Sequence, residues 1–435
     1  LLNVSGLSIF SVSITLFYFV QRPMILRLRL LPVFAAILIS YACTPEPGPE
    51  PVRTGAEVML SDYADQLEGR NIGLVMNPTA RIHGTHVLDT LIARNVNVVA
   101  LFAPEHGFRG DYGAGERISD GVDEQTGLPV YSLYGENRKP TAAMLENVDL
   151  LLFDMQDVGA RFYTYLSTMG LVMEAAADHG VELWILDRPN PAGGNYVSGW
   201  IREPEHTSFV GAYPIPIAHG MTLGELAQMI HGEGWLQHES ENELQFKVIP
   251  MKNWRRDMLW PETDLPWVPP SPNLPTFEHA YIYLGTCLIE GTTMSEGRGT
   301  ENPFLLLGAP DLNLTDPELQ EIANRFNLSI SDTVFTPVEI PGRALRPKHQ
   351  NSAVQGLKIQ VPENGYNLVD PVVFGHELLR VALGASPASQ TNNFLFRLAG
   401  TNRITGYLNG ELQAPDAWQV EVDAFRAQRQ PYLIY

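Results

Sequence analysis

The chain has 435 residues, 45% of them hydrophobic and 18% charged, with a formal net charge of −20. That length and apolar share suit a globular protein of two or three domains with a sizeable core. The acidic balance argues against a nucleic-acid partner, whose phosphates call for Lys and Arg.

The amino-terminal region carries an export pattern. Met24-Ile25-Leu26-Arg27-Leu28-Arg29 is a short basic segment, and residues 30–42 are mostly apolar and end in Ala42 before Cys43. Ile39-Ser40-Tyr41-Ala42-Cys43 is similar to a bacterial lipobox, which implies lipidation of Cys43 and a membrane anchor. Residues 1–42 are therefore expected to be an upstream segment plus signal peptide, and residues 43–54 a proline-rich tether. The expected location is the cell envelope, in the periplasm or at the outer membrane of a Gram-negative bacterium. Only Cys287 remains beyond the signal, so no internal disulfide is expected. Its apolar neighbours predict a buried thiol.

From residue 55 strands and helices alternate. Residues 71–76 read as a strand ending in Asn77-Pro78-Thr79, and residues 86–94 as a helix. The apolar run at 96–101 leads into Ala103-Pro104-Glu105-His106-Gly107-Phe108-Arg109-Gly110-Asp111 and on to Glu116. Residues 148–153 form an apolar strand ending in Asp154-Met155-Gln156-Asp157, and residues 181–186 another ending in Asp187-Arg188. Between these two, residues 165–178 read as a helix with Gly180 past its end. Near-continuous apolar strands alternating with helices predict a mostly parallel sheet covered on both faces. In such a sheet the four polar strand ends share one edge, where ligands bind. They are expected to converge on one cleft.

Thr222-Leu223-Gly224-Glu225 matches a capping box, which explains Glu225 structurally. His219, just before that helix, either faces an anionic ligand or is a satisfied structural histidine. The expected domains are a Rossmann-like unit at 55–235 and a smaller α+β unit at 236–435, with the active-site cleft between them. In the second unit, residues 334–340 and 357–361 read as strands, and residues 277–288, 317–325, 371–383 and 416–428 as helices. A second dense polar stretch runs from Glu290 through Glu296 and Arg298 to Pro303.

The usual signatures of nucleotide, zinc-protease and serine-hydrolase sites are absent, and no G-x-G-x-x-G turn follows the first strand, so no cofactor is expected. What remains is carboxylates with donors. Glycoside cleavage needs an acid for the leaving oxygen and usually a second carboxylate. Glu105, Glu116, Asp154, Asp157, Glu290 and Glu296 supply that type. His106, Arg109, Arg161, Arg298 and His219 are candidates to bind a substrate carboxylate or hydroxyls, with Gln156 and Tyr163 as further contacts. A hydrolytic metal held by His106, Asp111, Asp154, Asp157 and His219 is the rival chemistry. A glycan-binding lipoprotein without turnover is the third possibility.

Five motifs in order carry a resemblance. They are Ala103-Pro104-Glu105-His106-Gly107, the stretch from Asp154 to Tyr165, Leu186-Asp187-Arg188-Pro189-Asn190-Pro191, His219-Gly220-Met221-Thr222, and Glu290-Gly291-Thr292 through Phe304. Together they resemble the exo-β-N-acetylmuramidase NamZ family. The resemblance implies a Rossmann-like amino-terminal domain, a smaller carboxyl-terminal domain and a site between them. It implies release of N-acetylmuramic acid from the non-reducing end of peptidoglycan fragments, with Glu105 as the catalytic glutamate. Asp154 and Glu290 are the candidates for a second catalytic carboxylate. The lactyl carboxylate of such a substrate gives the arginines a reason to be present.

Overall fold

The computed structural model describes residues 50–110, 119–135, 137–362 and 365–435. Cys43, the expected signal peptide, Asp111 and Glu116 lie outside the described residues. Residues 51–435 form one compact unit.

Its first sheet contains β1 (Ile72–Met76), β2 (Val98–Ala103), β3 (Gly121–Val122), β4 (Pro129–Ser132), β5 (Leu150–Asp154), β6 (Glu182–Leu186) and β7 (Phe246–Ile249). The spatial order is β3-β4-β2-β1-β5-β6-β7, parallel throughout except for β3 against β4. Successive side chains of a strand point to opposite faces, and here both faces are buried. Leu74, Leu101, Leu152 and Trp184 join one apolar core, while Val75, Phe102, Phe153 and Ile185 join the other. The apolar runs in the sequence are the direct consequence.

Helices cover both faces. α1 (Gly55–Asp62) starts on a Thr54–Glu57 capping box, and α2 (Val87–Ala93) follows the first strand. α3 (Tyr165–His179) ends on Gly180 at φ 67°, a left-handed conformation that glycine adopts without a Cβ clash. α4 (Leu223–Gly232) opens on the Thr222–Glu225 capping box. Glu225 also pairs with Arg256 at 2.6 Å, so its role is structural.

The chain leaves β1 toward β2 but leaves β5 toward β6, in the opposite direction along the sheet. Between the carboxyl ends of β1 and β5 this reversal opens a crevice.

The rest includes α5 (Phe277–Thr286), β8 (Leu306–Ala309), α6 (Pro317–Arg325), β9 (Ser329–Phe335), β10 (Val354–Gln360) and α7 (Pro371–Gly384), followed by further helices at Asn393–Ala399, Ile404–Leu408 and Gln419–Gln428. The three strands form an antiparallel sheet ordered β8-β10-β9. α5 crosses α7 at Gly285 and Gly375, where a Cβ on Gly285 would lie 1.9 Å from the Pro371 carbonyl oxygen. This close crossing anchors the turn Cys287–Gly291, which carries Glu290.

Three placements differ from the sequence reading. β7 lies beyond residue 236 yet completes the first sheet beside β6. The strand expected at 334–340 lies at Ser329–Phe335, because Pro337 and Pro341 have no N–H to offer a ladder. The helix expected from 416 runs Gln419–Gln428. One apolar core runs from the first sheet into the helices of the second half, joining Phe153 and Ile185 to Leu284, Phe374 and Phe425.

Candidate active site

β2 ends at Ala103, and the next residues make a tight turn in which Gly107 N–H donates to the Pro104 carbonyl at 3.0 Å. His106 holds φ 75° in this turn, a left-handed conformation that costs a residue with a Cβ about 1 kcal/mol or more. Such outliers cluster at functional sites. The turn sets Glu105 at its corner, half-buried, where Thr164 Oγ1 at the start of α3 donates to Glu105 Oε2 at 2.8 Å. The Tyr165 hydroxyl donates to the Glu105 carbonyl at 3.3 Å and to the Pro270 carbonyl at 2.7 Å.

Glu105 and His106 line a cavity of about 590 Å3 whose other wall comes from the second half of the chain. That wall includes Glu290, Glu296 and Arg298. Arg298 Nε donates to Glu290 Oε1 at 2.9 Å and lies 3.6 Å from Glu296 Oε1. Burial works against the guanidinium charge, but the two carboxylates outweigh it and hold Arg298 protonated beyond its ordinary range. Lys348 Nζ sits 2.9 Å from Glu296 Oε2 and also donates to the carbonyls of Ile289 and Glu290. The phenol of Tyr134 is pushed upward by burial and by the neighbouring Glu105 charge. Tyr163 and Tyr283 line the same space, their rings edge to face at 6.2 Å. Cys287 is also there, but burial, then the Glu290 charge, keeps it a thiol. It is not set up as a nucleophile.

Among the described residues this cavity carries five cationic side chains, Arg138, Arg298, Arg343, Arg346 and Lys348, against three carboxylates. In a chain of net charge −20 that is a local reversal of sign.

Several expected site residues are placed elsewhere. Asp154 is fully buried and held by Arg188, whose Nη2 donates to Asp154 Oδ2 at 2.9 Å. It does not line the Glu105 cavity. Arg161 is also buried, donating to the carbonyls of Trp200, Ile215 and Leu398, and so ties the two halves together. Burial lowers its pKa to about 9. Asp157 Oδ2 accepts from Gly159 N–H at 2.6 Å, the local cap that such a residue favours. His219 is fully buried, its Nδ1 accepting from Met221 N–H and its Nε2 lying 3.7 Å from Asp157 Oδ2. Gln156 lies outside this cavity as well. The four strand-end loops share one edge as expected, yet they feed two cavities rather than one.

Arg109 points away from the cavity to Asp123, with Nε–Oδ1 at 2.6 Å and Nη2–Oδ2 at 3.0 Å. This pair pins the turn at residues 121–127 onto the Glu105 loop. Arg109 holds the Asp123 carboxyl down at about 2. A depressed carboxylate contributes stability that is present above its unfolded pKa, about 3.9, and lost as pH falls through the folded value. Acid titration of the Asp123→Asn variant, followed by circular dichroism, will therefore show lower stability than wild type at pH 6. The two curves will converge between about pH 4 and pH 2.

For the metal alternative, ligand atoms close enough to share one ion occur among the described residues in Glu203, Glu205 and His206. His106, Asp154, Asp157 and His219 make no such group.

Comparison with known proteins decides the family. The model of the exo-β-N-acetylmuramidase NamZ amino-terminal domain matches residues 72–278, and that of the carboxyl-terminal domain matches residues 281–435. The chain belongs to the NamZ family. It is 41% identical to the peptidoglycan β-N-acetylmuramidase NamZ of Bacillus subtilis (strain 168) over 396 residues, covering 88% of this chain and 91% of the relative. Two solved structures of DUF1343-family proteins from Bacteroides fragilis NCTC 9343 superpose with TM-scores of 0.76 and 0.72 at 32% and 36% identity. Each covers 89% of this chain, and 100% and 99% of its own.

The sequence reading missed Tyr134, Thr164, Arg138 and the segment Arg343 to Lys348. A signal existed for the last of these. Arg343-Ala344-Leu345-Arg346-Pro347-Lys348 places three cations in six residues of an acidic chain. Tyr134 and Thr164 carry no such mark, because their roles depend on how a strand end and a helix start meet.

Proposed function

We propose that the chain is an exo-acting glycoside hydrolase that releases N-acetylmuramic acid from the non-reducing end of peptidoglycan fragments. One observation carries this reading beyond the family. Glu105 shares a cavity with an excess of cationic side chains in a strongly acidic chain. N-Acetylmuramic acid differs from its neighbour N-acetylglucosamine by a lactyl carboxylate, and guanidinium groups match carboxylates. Glu105 supplies the acid to the leaving glycosidic oxygen. Glu290, which lines the same cavity from the second half of the chain, serves as the second carboxylate. Arg298 Nε donates to Glu290 Oε1 at 2.9 Å, which orients that carboxylate at the cavity wall. Export and lipidation at Cys43 fit an envelope substrate and belong to the same proposal.

Incubation with a chromogenic glycoside of N-acetylmuramic acid will release the free sugar, and absence of release would overturn the assignment. Arg346 is exposed at the cavity wall. Arg346→Gln will raise KM for that glycoside about tenfold, the cost of one hydrogen bond to a charged group, with little change in kcat. Steady-state kinetics against the N-acetylglucosamine glycoside is the control, since that substrate has no carboxylate to lose.

A further inference from the structure

The crevice between β1 and β5 opens into a cavity of about 900 Å3, larger than the one holding Glu105. It is bounded by Thr79 beyond β1, Gln156 beyond β5 and Arg188 beyond β6. Ligands of doubly wound sheets bind at this switch point. The volume is that of a small-molecule site. Pro269 lines this cavity and Ser271 lines the other, so the segment between them is a partition.

Three observations identify what it takes. The first is an unmet acceptor. Gln156 is 2% exposed, and its Nε2 donates to the carbonyls of Asp157 and Pro189 at 2.8 and 2.7 Å, which fixes the amide's orientation. Its Oε1 finds no donor among the described residues. A buried acceptor left so costs about 1–3 kcal/mol, which a hydroxyl or amide N–H of a ligand recovers. The second is an aromatic wall of Trp260 and Trp267, rings edge to face at 5.1 Å. The third is charge. Arg53, Arg81 and Arg94 line the cavity, and their hydrogen bonds go to backbone carbonyls and Ser61 Oγ rather than to carboxylates. Of the two acidic residues that line it, Glu57 is already engaged by the Thr54 N–H and hydroxyl, and Asp264 is exposed to solvent.

We propose that this cavity is a second saccharide site, which takes a sugar ring bearing a carboxylate, of the muramic type. The Trp side chains offer the apolar surface, Gln156 Oε1 receives a hydroxyl or acetamido N–H, and the unpaired guanidiniums receive the carboxylate. The choice of a muramic sugar rests on the hydrolase reading above; the site itself does not. The sugar arrives either free or as a remote residue of the glycan being trimmed.

Titration calorimetry of the full chain with free N-acetylmuramic acid, and of its Glu105→Gln variant, which leaves the glycan intact, with a tetrasaccharide carrying that sugar, tests this. Two occupied sites per chain are expected with at least one of these ligands. Occupancy by free sugar identifies a monosaccharide site, and occupancy by the tetrasaccharide alone identifies a strand site. Arg81 and Arg94 are exposed, so the double variant Arg81→Glu, Arg94→Glu will fold, lose one site and keep kcat on the chromogenic glycoside within about twofold. N-Acetylglucosamine will bind the second site about tenfold or more weakly. A single site with both ligands, a second site that survives the double variant, or equal affinity for N-acetylglucosamine overturns the proposal. Absence of turnover with two occupied sites sinks the hydrolase reading and leaves this site standing.

Discussion

Replacing Glu105 by Gln will lower kcat on a chromogenic N-acetylmuramic acid glycoside by about 10²- to 10⁴-fold, the range supplied by one positioned acid or base. Gln keeps the size and the Thr164 hydrogen bond to the side-chain oxygen, so the turn from Pro104 to Gly107 stays intact. It cannot donate and recover a proton. The loss will fall on kcat rather than on KM, because the cationic wall that binds the carboxylate is untouched. Thermal unfolding will match wild type within a degree or two. An undiminished rate in the folded variant would remove Glu105 from the mechanism and move attention to Glu290.

Asp154 behaves in the opposite way. Asp154→Ala will destabilise the protein by about 3–5 kcal/mol, because it strands the Arg188 guanidinium in a buried place without its partner. Asp154 is 0% exposed and Arg188 8%, and both carboxylate oxygens face the guanidinium. Urea unfolding of the variant will show the loss as a lower midpoint. Replacing both residues together with apolar ones of similar volume will recover much of it, because no charge is then left buried. The folded fraction of the single variant will still turn over substrate, since Asp154 does not line the Glu105 cavity. Loss of turnover at unchanged stability would instead make Asp154 a catalytic residue.

These two acids show where sequence reasoning reached and where it stopped. Each follows an apolar strand, and each stands in a motif that matches the family. Asp154 is the last residue of β5 itself, inside the sheet, where an ionised group persists only with a partner. Glu105 stands two residues past β2, on a turn that lifts it to the surface of a cavity. Nothing local in the sequence separates these cases. Arg161 and Arg298 differ in the same manner. One spends its donors on carbonyls from both halves of the chain, and the other sits between two carboxylates at the cavity wall.

By itself the sequence determined what short-range physics controls. Apolar runs of strand length, broken by helices, dictated a parallel sheet buried on both faces. The capping box at Thr222 and the glycine at 180 placed helix ends, while the helix that opens on Thr54 emerged only in the structure. The ordered motifs marked the family before any geometry was known. The tertiary structure alone decided which polar loops share a cavity. The direction of a side chain in a loop follows from turn conformation and from partners far away in the chain, such as Thr164 for Glu105 and Arg188 for Asp154. It also showed that the sheet edge feeds two cavities, because a partition from the second half of the chain runs between them.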